Sequence, residues 1–195
     1  MKTIRAFIAI ELPPAIQSNL NRVIQHLKTQ ISSGVRWVPV TNIHITLKFL
    51  GDISDKQVNA LKQSLPDIAA MVQPFPVLVT GIGAFPNPNR PRVVWAGLQA
   101  PDGLTRLQKQ IEKLADTIGI PAENRPFSPH LTLGRIHSTA TRQELEMVTT
   151  TLLSTKINEI GEFDADQVIL FRSDLRPTGA IYTALLHAPF QPPTS

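Results

Sequence analysis

The sequence predicts an α+β fold in which antiparallel strands are covered by amphipathic helices. Predicted strands often follow one another directly, and four segments with helical spacing lie between them, whereas a doubly wound parallel sheet alternates one strand with one helix. The chain has 195 residues, of which 42% are apolar and 17% are charged. These values are typical of a folded globular protein, either one domain or two small lobes that share a core.

The first half of the chain begins with a predicted strand and helix. Residues 4–12 alternate in polarity and are rich in Ile, Phe and Ala, which predicts a strand. Pro13-Pro14 then suits the first turn of a helix whose apolar residues keep helical spacing. Residues 35–39 and 43–50 predict two further strands, and Gly51-Asp52 predicts a turn after them.

Two of the predicted helices carry a start signal. Ser54 with Gln57, and Thr141 with Glu144, have the spacing of a capping box, in which each residue's side chain bonds the other's backbone amide. Pro66 lies inside the first of these helices, where it removes an amide donor. We therefore expect the helix to break or kink there.

The second half of the chain predicts a hairpin, a helix and three more strands. Residues 77–84 and 93–98 are apolar runs around a loop rich in Pro and Asn, which favours an antiparallel hairpin. An amphipathic helix follows at residues 104–118, and residues 130–136 predict a strand. The last two predicted strands are residues 168–172 and 181–187.

Residues 1–188 are predicted to form a single domain, and residues 189–195 a frayed C-terminal tail. No apolar run approaches the ~20 residues that span a bilayer. Glu11 and Pro13 interrupt the first apolar run too early for a signal peptide. The chain contains no cysteine, which excludes disulfides and thiolate chemistry. We expect a cytoplasmic protein, and nothing in the sequence requires more than a monomer.

The charge balance is moderately basic. The formal net charge is +4 and the pI is about 9.7. An excess of Lys and Arg suits a polyanionic partner such as RNA. Many proteins, however, carry such a charge for solubility alone.

A short pattern of His, apolar, Thr, apolar occurs once in each half of the chain, as residues 44–47 and 130–133. Because side chains alternate faces along a strand, His44 and Thr46 share one face, and His130 and Thr132 do the same. The apolar residues between them point to the core. If the two strands lie side by side, they form a cleft with two imidazoles and two hydroxyl groups.

That set of groups suits phosphate chemistry. Two imidazoles with pKa values near 6.5 can serve as general base and general acid around neutral pH. Thr46 and Thr132 can donate hydrogen bonds to phosphate oxygens. Arg135, five residues after His130, supplies a guanidinium that can hold two phosphate oxygens. The spacing does not say which histidine is the acid.

Other interpretations of these residues remain open. Each motif histidine, taken singly, is more typical of a half-buried residue bonded to a neighbouring threonine. Metal binding is disfavoured because neither motif places a second histidine or a carboxylate beside the first. His137 sits in a similar pattern without apolar backing and is predicted to lie in a loop. His26 and His187 are predicted to be exposed and structural, respectively.

Three aromatic residues lie near the motifs. Phe7, Trp37 or Phe49 could stack on a nucleobase. Core packing is the preferred interpretation, and strand alternation places Phe49 on the apolar face with Ile45 and Leu47.

The chain resembles the 2H phosphoesterase superfamily, specifically the RNA 2′,3′-cyclic phosphodiesterases historically called 2′-5′ RNA ligases. The resemblance covers most of the chain, and the motif positions show no departure from the family pattern. The segments that carry it are residues 5–13, 36–38, 42–51, 93–97 and 127–135.

The resemblance implies a fold and an assignment of roles. It implies two pseudo-symmetric lobes, each an antiparallel sheet flanked by helices, around a central groove, with no metal or other cofactor. It further implies that His44 is the proton donor and His130 the proton acceptor. Thr46, Thr132 and Arg135 would bind the phosphate, and the product would be a 2′-phosphate.

The functional hypothesis is therefore hydrolysis of RNA or nucleotides that end in a 2′,3′-cyclic phosphate, tRNA fragments included. The same acid and base could instead join RNA ends through a 2′-5′ bond. A non-catalytic RNA- or nucleotide-binding module and a metal-dependent hydrolase are further alternatives.

Overall fold

The computed structural model describes residues 3–177 and 179–191, and Thr178 lies outside these ranges. In this part of the chain nine strands and four α-helices form two sheets with helices packed on them. The strands are β1 (Thr3–Glu11), β2 (Val35–Trp37), β3 (His44–Ser54), β4 (Phe75–Phe85), β5 (Val93–Gln99), β6 (His130–Ile136), β7 (Gly161–Ala165), β8 (Gln167–Arg176) and β9 (Gly179–Pro189). The helices are α1 (Pro14–Gln30), α2 (Asp55–Ala69), α3 (Asp102–Thr117) and α4 (Arg142–Ser154), with a 3₁₀ turn at Val40–Asn42.

Both sheets are antiparallel, which confirms the predicted α+β class. The first sheet has the strand order β3-β1-β8-β9, and the second has the order β2-β6-β5-β4-β7. Each sheet therefore combines strands from both halves of the chain. One continuous cluster of buried apolar residues runs through both sheets and all four helices.

Two helices pack against the sheet that does not contain the strand preceding them in the chain. α3 follows β5 of the second sheet in the chain, yet it packs against β3 of the first sheet and against α2. α1 follows β1 of the first sheet, yet it contacts β7 of the second sheet and α4. The side-chain amide of Asn19 on α1 donates to the carbonyl of Ile160, just before β7, over 2.7 Å.

The predicted signals at the helix starts are confirmed. Ser54 with Gln57 and Thr141 with Glu144 both form complete capping boxes at the starts of α2 and α4. The predicted break at Pro66 is wrong, because α2 continues through Pro66 to Ala69. Pro66 lies in the last turn and a half of α2, where few residues remain for a break to affect.

Several strand predictions are corrected by the structure. The strand predicted at 35–39 is shorter than expected, because β2 ends at Trp37 and a 3₁₀ turn begins at Val40. β2 belongs to the second sheet and β3 to the first. Gly51-Asp52 is not a turn but part of β3, where Gly51 has φ +69° beside an irregularity in the pairing with β1. Strand β7 was not predicted, since its five residues, Gly161–Ala165, include two acidic residues and show no long apolar pattern.

The C-terminal segment is packed as far as it is described. Pro189 ends β9, and Phe190 is buried with its ring stacked 5.8 Å from that of Phe75. The amide of Gln191 donates to the carbonyl of Val72 over 2.8 Å. The prediction of a frayed tail is therefore wrong for residues 189–191, and residues 192–195 lie outside the described part.

No helix among the described residues is long and apolar enough to cross a membrane.

Candidate active site

A groove with a volume of about 500 Å³ lies where β3 of the first sheet and β6 of the second sheet come together. All five predicted site residues line it: His44, Thr46, His130, Thr132 and Arg135. The segment between α3 and β6 also lines the groove, through Glu123, Arg125, Phe127 and Ser128 among others. The structure thus brings together the two motifs that are 86 positions apart in the sequence.

Strand β3 contains a β-bulge directly after its motif threonine. Thr46 is paired with Ala9 and Lys48 with Ile8, so Leu47 has no partner on β1. The extra residue shifts the alternation of side chains by one position. Leu47 and Lys48 are consequently both buried, although they are neighbours.

Strand β6 contains the same irregularity at the same position of its motif. Thr132 is paired with Trp95 and Gly134 with Val94, so Leu133 has no partner on β5. A Cβ added to Gly134 would lie 2.7 Å from the side chain of Val35. The core-facing side of β6 therefore lies so close to the side chains of β2 at this position that only a glycine fits.

The two bulges decide which side chain joins His and Thr on the groove face. In a regular strand the fifth residue after the histidine would point to the core, but the bulge returns it to the groove. On β6 this residue is Arg135, which lies within the strand and lines the groove. On β3 it is Phe49.

The predicted orientation of Phe49 is therefore wrong. Its side chain is 56% exposed and lines the groove, instead of packing with Ile45 and Leu47. Trp37 does pack against the main core. Phe7 is buried in a small separate cluster with Phe171, on the groove side of the first sheet.

His44 lies within an aromatic layer that the sequence pattern did not predict. The ring of Phe7 stacks on His44 with centroids 4.6 Å apart, and Tyr182 meets the same imidazole edge-on at 5.4 Å. The ring of Phe171 lies 5.2 Å from that of Phe7 and 6.4 Å from the imidazole of His44. Burial lowers the pKa of His44 to about 4, and a backbone hydrogen bond with Asn42 offsets only part of this effect.

His130 is held by the carbonyl two residues before it. Its Nδ1 lies 2.8 Å from the carbonyl oxygen of Ser128. A carbonyl can only accept, so Nδ1 carries the hydrogen and donates it. In the neutral imidazole this leaves Nε2 with a free lone pair. Burial lowers the pKa of His130, the hydrogen bond to Ser128 raises it, and the charge of Arg135 lowers it further.

A buried ion pair joins the first motif strand to helix α3. Lys48 is 1% exposed, and its Nζ donates to Glu112 on α3 over 2.7 Å and to the carbonyl of Pro121 over 2.9 Å. The amide of Gln108 donates to the same carboxylate. The only sequence signal was a lysine between apolar neighbours, which alone does not distinguish burial from an exposed strand face.

The other three histidines lie outside the groove. His26, His137 and His187 are all exposed, and His137 sits in the turn before α4, as predicted. Within residues 3–177 and 179–191, no group of three or more histidine or acidic side chains is arranged to hold a metal ion.

The family of the chain follows from its match to a family model described as LigT like phosphoesterase, at residues 10–95 and 98–182. The chain belongs to the LigT-like phosphoesterase family. This confirms the resemblance and the prediction that the protein is a hydrolase of phosphodiester bonds.

Relatives of this LigT-like phosphoesterase include proteins named RNA 2′,3′-cyclic phosphodiesterase. One from Methanothermobacter thermautotrophicus is 33% identical over 92% of this chain and 95% of the relative. Another from Aquifex aeolicus is 32% identical over 95% of this chain and 96% of the relative.

Solved structures share the fold over nearly the whole chain. The protein TT0787 of Thermus thermophilus superposes with a TM-score of 0.81 at 27% identity, over 97% of this chain and 99% of the other. Escherichia coli LigT complexed with 3′-AMP superposes with a TM-score of 0.73 at 27% identity, over 97% and 99% of the two chains.

Proposed function

We propose that this protein hydrolyses the 2′,3′-cyclic phosphate at RNA ends to a 2′-phosphate, by general acid and base catalysis without a metal ion. The observation that carries the proposal is the meeting of His44 and His130 across one groove, each with its threonine, and with Arg135 on the same face. Relatives named RNA 2′,3′-cyclic phosphodiesterase support the choice of substrate.

His130 acts as the general base. Its Nδ1 hydrogen is committed to the carbonyl of Ser128, so Nε2 is the nitrogen that can accept a proton. Its lowered pKa keeps the imidazole neutral near pH 7 and ready to accept. It takes a proton from the attacking water while the water oxygen forms a bond to phosphorus.

His44 acts as the general acid. It gives its proton to O3′ as the P–O3′ bond breaks, which leaves a 3′-hydroxyl and a 2′-phosphate. In the free protein burial holds the pKa of His44 at about 4, so the imidazole is neutral at pH 7. A bound phosphodiester carries a negative charge, which favours the protonated imidazole. Substrate binding and protonation of His44 are therefore coupled.

The remaining site residues hold the phosphate. The hydroxyl groups of Thr46 and Thr132 donate to its non-bridging oxygens, and Arg135 offers a planar pair of donors to the charge that develops on them. The exposed ring of Phe49, on the same face as His44 and Thr46, offers a surface on which the terminal nucleobase stacks.

The deciding experiment follows the products from an RNA that ends in a 2′,3′-cyclic phosphate, with and without a chelator. We expect a 2′-phosphate in both reactions at the same rate. A 3′-phosphate product would mean that the P–O2′ bond breaks and would overturn the proposed protonation of O3′ by His44. Loss of activity with chelator would show a metal-dependent hydrolase, and binding without turnover would show a binding module. Adding RNA with a 5′-hydroxyl to the same reaction tests for ligation.

A further inference from the structure

A second arginine stands beside Arg135 on the groove face of the second sheet. Arg36 on β2 is the antiparallel partner of Arg135 on β6. Paired residues of neighbouring strands share one face, with Cβ atoms roughly 5 Å apart. The residues on either side of Arg36 are Val35 and Trp37, and both pack against the core, which leaves Arg36 exposed on the opposite face.

This pair of arginines is unfavourable in the free protein. Like charges directly opposite each other destabilise a sheet. Among the described residues, neither Arg36 nor Arg135 has a carboxylate oxygen within 4.0 Å. The chain thus keeps two neighbouring cations where one would suffice for a single phosphate, and an anion beside Arg36 would relieve the repulsion.

The surroundings of the pair fit an anionic chain that leaves the groove over the edge of the second sheet. β2 is the edge strand of that sheet, so Arg36 lies one strand outside Arg135 and is not part of the groove lining. Burial raises the pKa of Tyr182 on the first sheet, and the positive charges of Arg135 and Arg5 offset part of that rise. The cross-strand partner of Arg5 is an acidic residue, Asp52, whereas the cross-strand partner of Arg36 is a second arginine.

We propose that Arg36 binds the phosphate on the 5′ side of the terminal nucleotide, so that the site distinguishes an RNA strand from a cyclic mononucleotide. The inference rests on the proposed function, because it takes the cyclic phosphate to lie between the two histidines and Arg135. Arg135 then holds the phosphate that reacts, and Arg36 holds the next phosphate along the chain. Arg36 has no part in the chemical step.

The test compares two substrates in one set of variants. The substrates are a nucleoside 2′,3′-cyclic monophosphate and a short oligoribonucleotide that ends in a 2′,3′-cyclic phosphate. Arg36→Ala should raise KM for the oligonucleotide about tenfold, the loss expected for a hydrogen-bonded ion contact, and leave kcat unchanged. KM and kcat for the mononucleotide should both stay at the values of the unmodified protein.

The salt dependence gives an independent readout. Each phosphate contact on single-stranded nucleic acid contributes about 0.7 to the slope of log affinity against log salt. Arg36→Ala should lower that slope by about this amount for the oligonucleotide. Arg22→Ala removes the same charge from the exposed surface of α1, where Arg22 bonds Asn19, and should change neither KM nor the slope.

Several results would overturn the inference. An equal rise in KM for both substrates would mean that Arg36 binds the reacting phosphate itself, and no change for the oligonucleotide would mean that it binds none. If the unmodified protein hydrolyses neither substrate, the proposed function fails. The affinity of Arg36→Ala for a 2′-phosphate-ended oligonucleotide, measured by fluorescence anisotropy, then decides separately whether Arg36 binds RNA.

Discussion

The ammonium group of Lys48 lies 2.7 Å from the carboxylate of Glu112, and this contact ties the strand of the first motif to helix α3. Lys48 reaches it only because the bulge at Leu47 directs two successive side chains of β3 into the core. The same ammonium donates a hydrogen bond to the carbonyl of Pro121, where the segment that leads to His130 begins.

Replacing Lys48 by methionine should destabilise the protein by about 3–5 kcal/mol, because it leaves the Glu112 carboxylate largely buried without its cation. Urea unfolding at pH 7 measures the change. The double variant Lys48→Met/Glu112→Gln should recover part of the loss. Arg142→Ala breaks an ion pair with Glu146 in which both side chains are exposed, and it should leave the midpoint of urea unfolding unchanged. A Lys48→Met protein as stable as the original would contradict the importance of this contact.

Removing either motif histidine should lower kcat by about 10²–10⁴ without unfolding the protein, since each supplies one proton-transfer step. Initial rates of cyclic phosphate hydrolysis for His44→Ala and His130→Ala measure this effect, with thermal unfolding as a check of the fold. The matched control is His137→Ala, because His137 is exposed in a turn outside the groove. Full activity in either motif variant would rule out the proposed acid and base pair.

The free energy of unfolding should fall as the pH drops from about 6.5 to about 4, because burial lowers the pKa of His44 to about 4 in the folded protein. Well above its unfolded pKa of about 6.5 the imidazole is neutral in the folded and unfolded chains alike. As the pH falls from there to about 4, the unfolded chain binds a proton that the folded chain does not. The free energy of unfolding then drops by up to about 1.4 kcal/mol per pH unit from this group, and the loss is complete below its folded pKa.

Denaturant unfolding of the unmodified protein and of His44→Gln, at pH 7 and at pH 4, isolates this contribution. The stability of the unmodified protein relative to the variant should decrease between the two pH values. His130 shifts in the same direction and is present in both proteins, so it cancels in the comparison. A difference that does not change with pH would contradict the buried, neutral state of His44.

Phe49→Ala should raise KM for a cyclic nucleotide and leave kcat nearly unchanged, because the ring lies on the groove face but is five residues from His44. Stacking of a base on an aromatic ring is worth about 1–3 kcal/mol, or a change in KM of about five- to a hundredfold. Phe49→Trp keeps an aromatic face and should retain most of the affinity. Because Phe49 is 56% exposed, the alanine variant should fold normally. Unchanged KM for Phe49→Ala would exclude the stacking contact.

The sequence was sufficient where a local pattern has one structural outcome. The capping boxes at Ser54 and Thr141 and the shared face of His and Thr in each motif follow from spacing alone. It was insufficient at the bulges, because an unpaired residue is defined by the neighbouring strand and leaves no mark in the alternation. For this reason Phe49 was assigned to the wrong face.

The environment of the histidines could not be predicted for a related reason. Tyr182 reaches His44 from β9, and Ser128 is fixed against His130 by the path of the preceding segment. Such contacts depend on which strands become neighbours. The sequence showed that strands were present, but it did not place β2 and β3 in different sheets.

The exchange of helices between the halves has a mechanical consequence. Because α1 contacts β7 of the second sheet and α3 contacts β3 of the first, separation of the two groove walls would break helix contacts in the core that both sheets share. We therefore expect the two walls to move as one body rather than as two lobes joined by a hinge. We therefore expect any adjustment to a ligand to be confined to side chains at the rim of the groove and to the segment before His130.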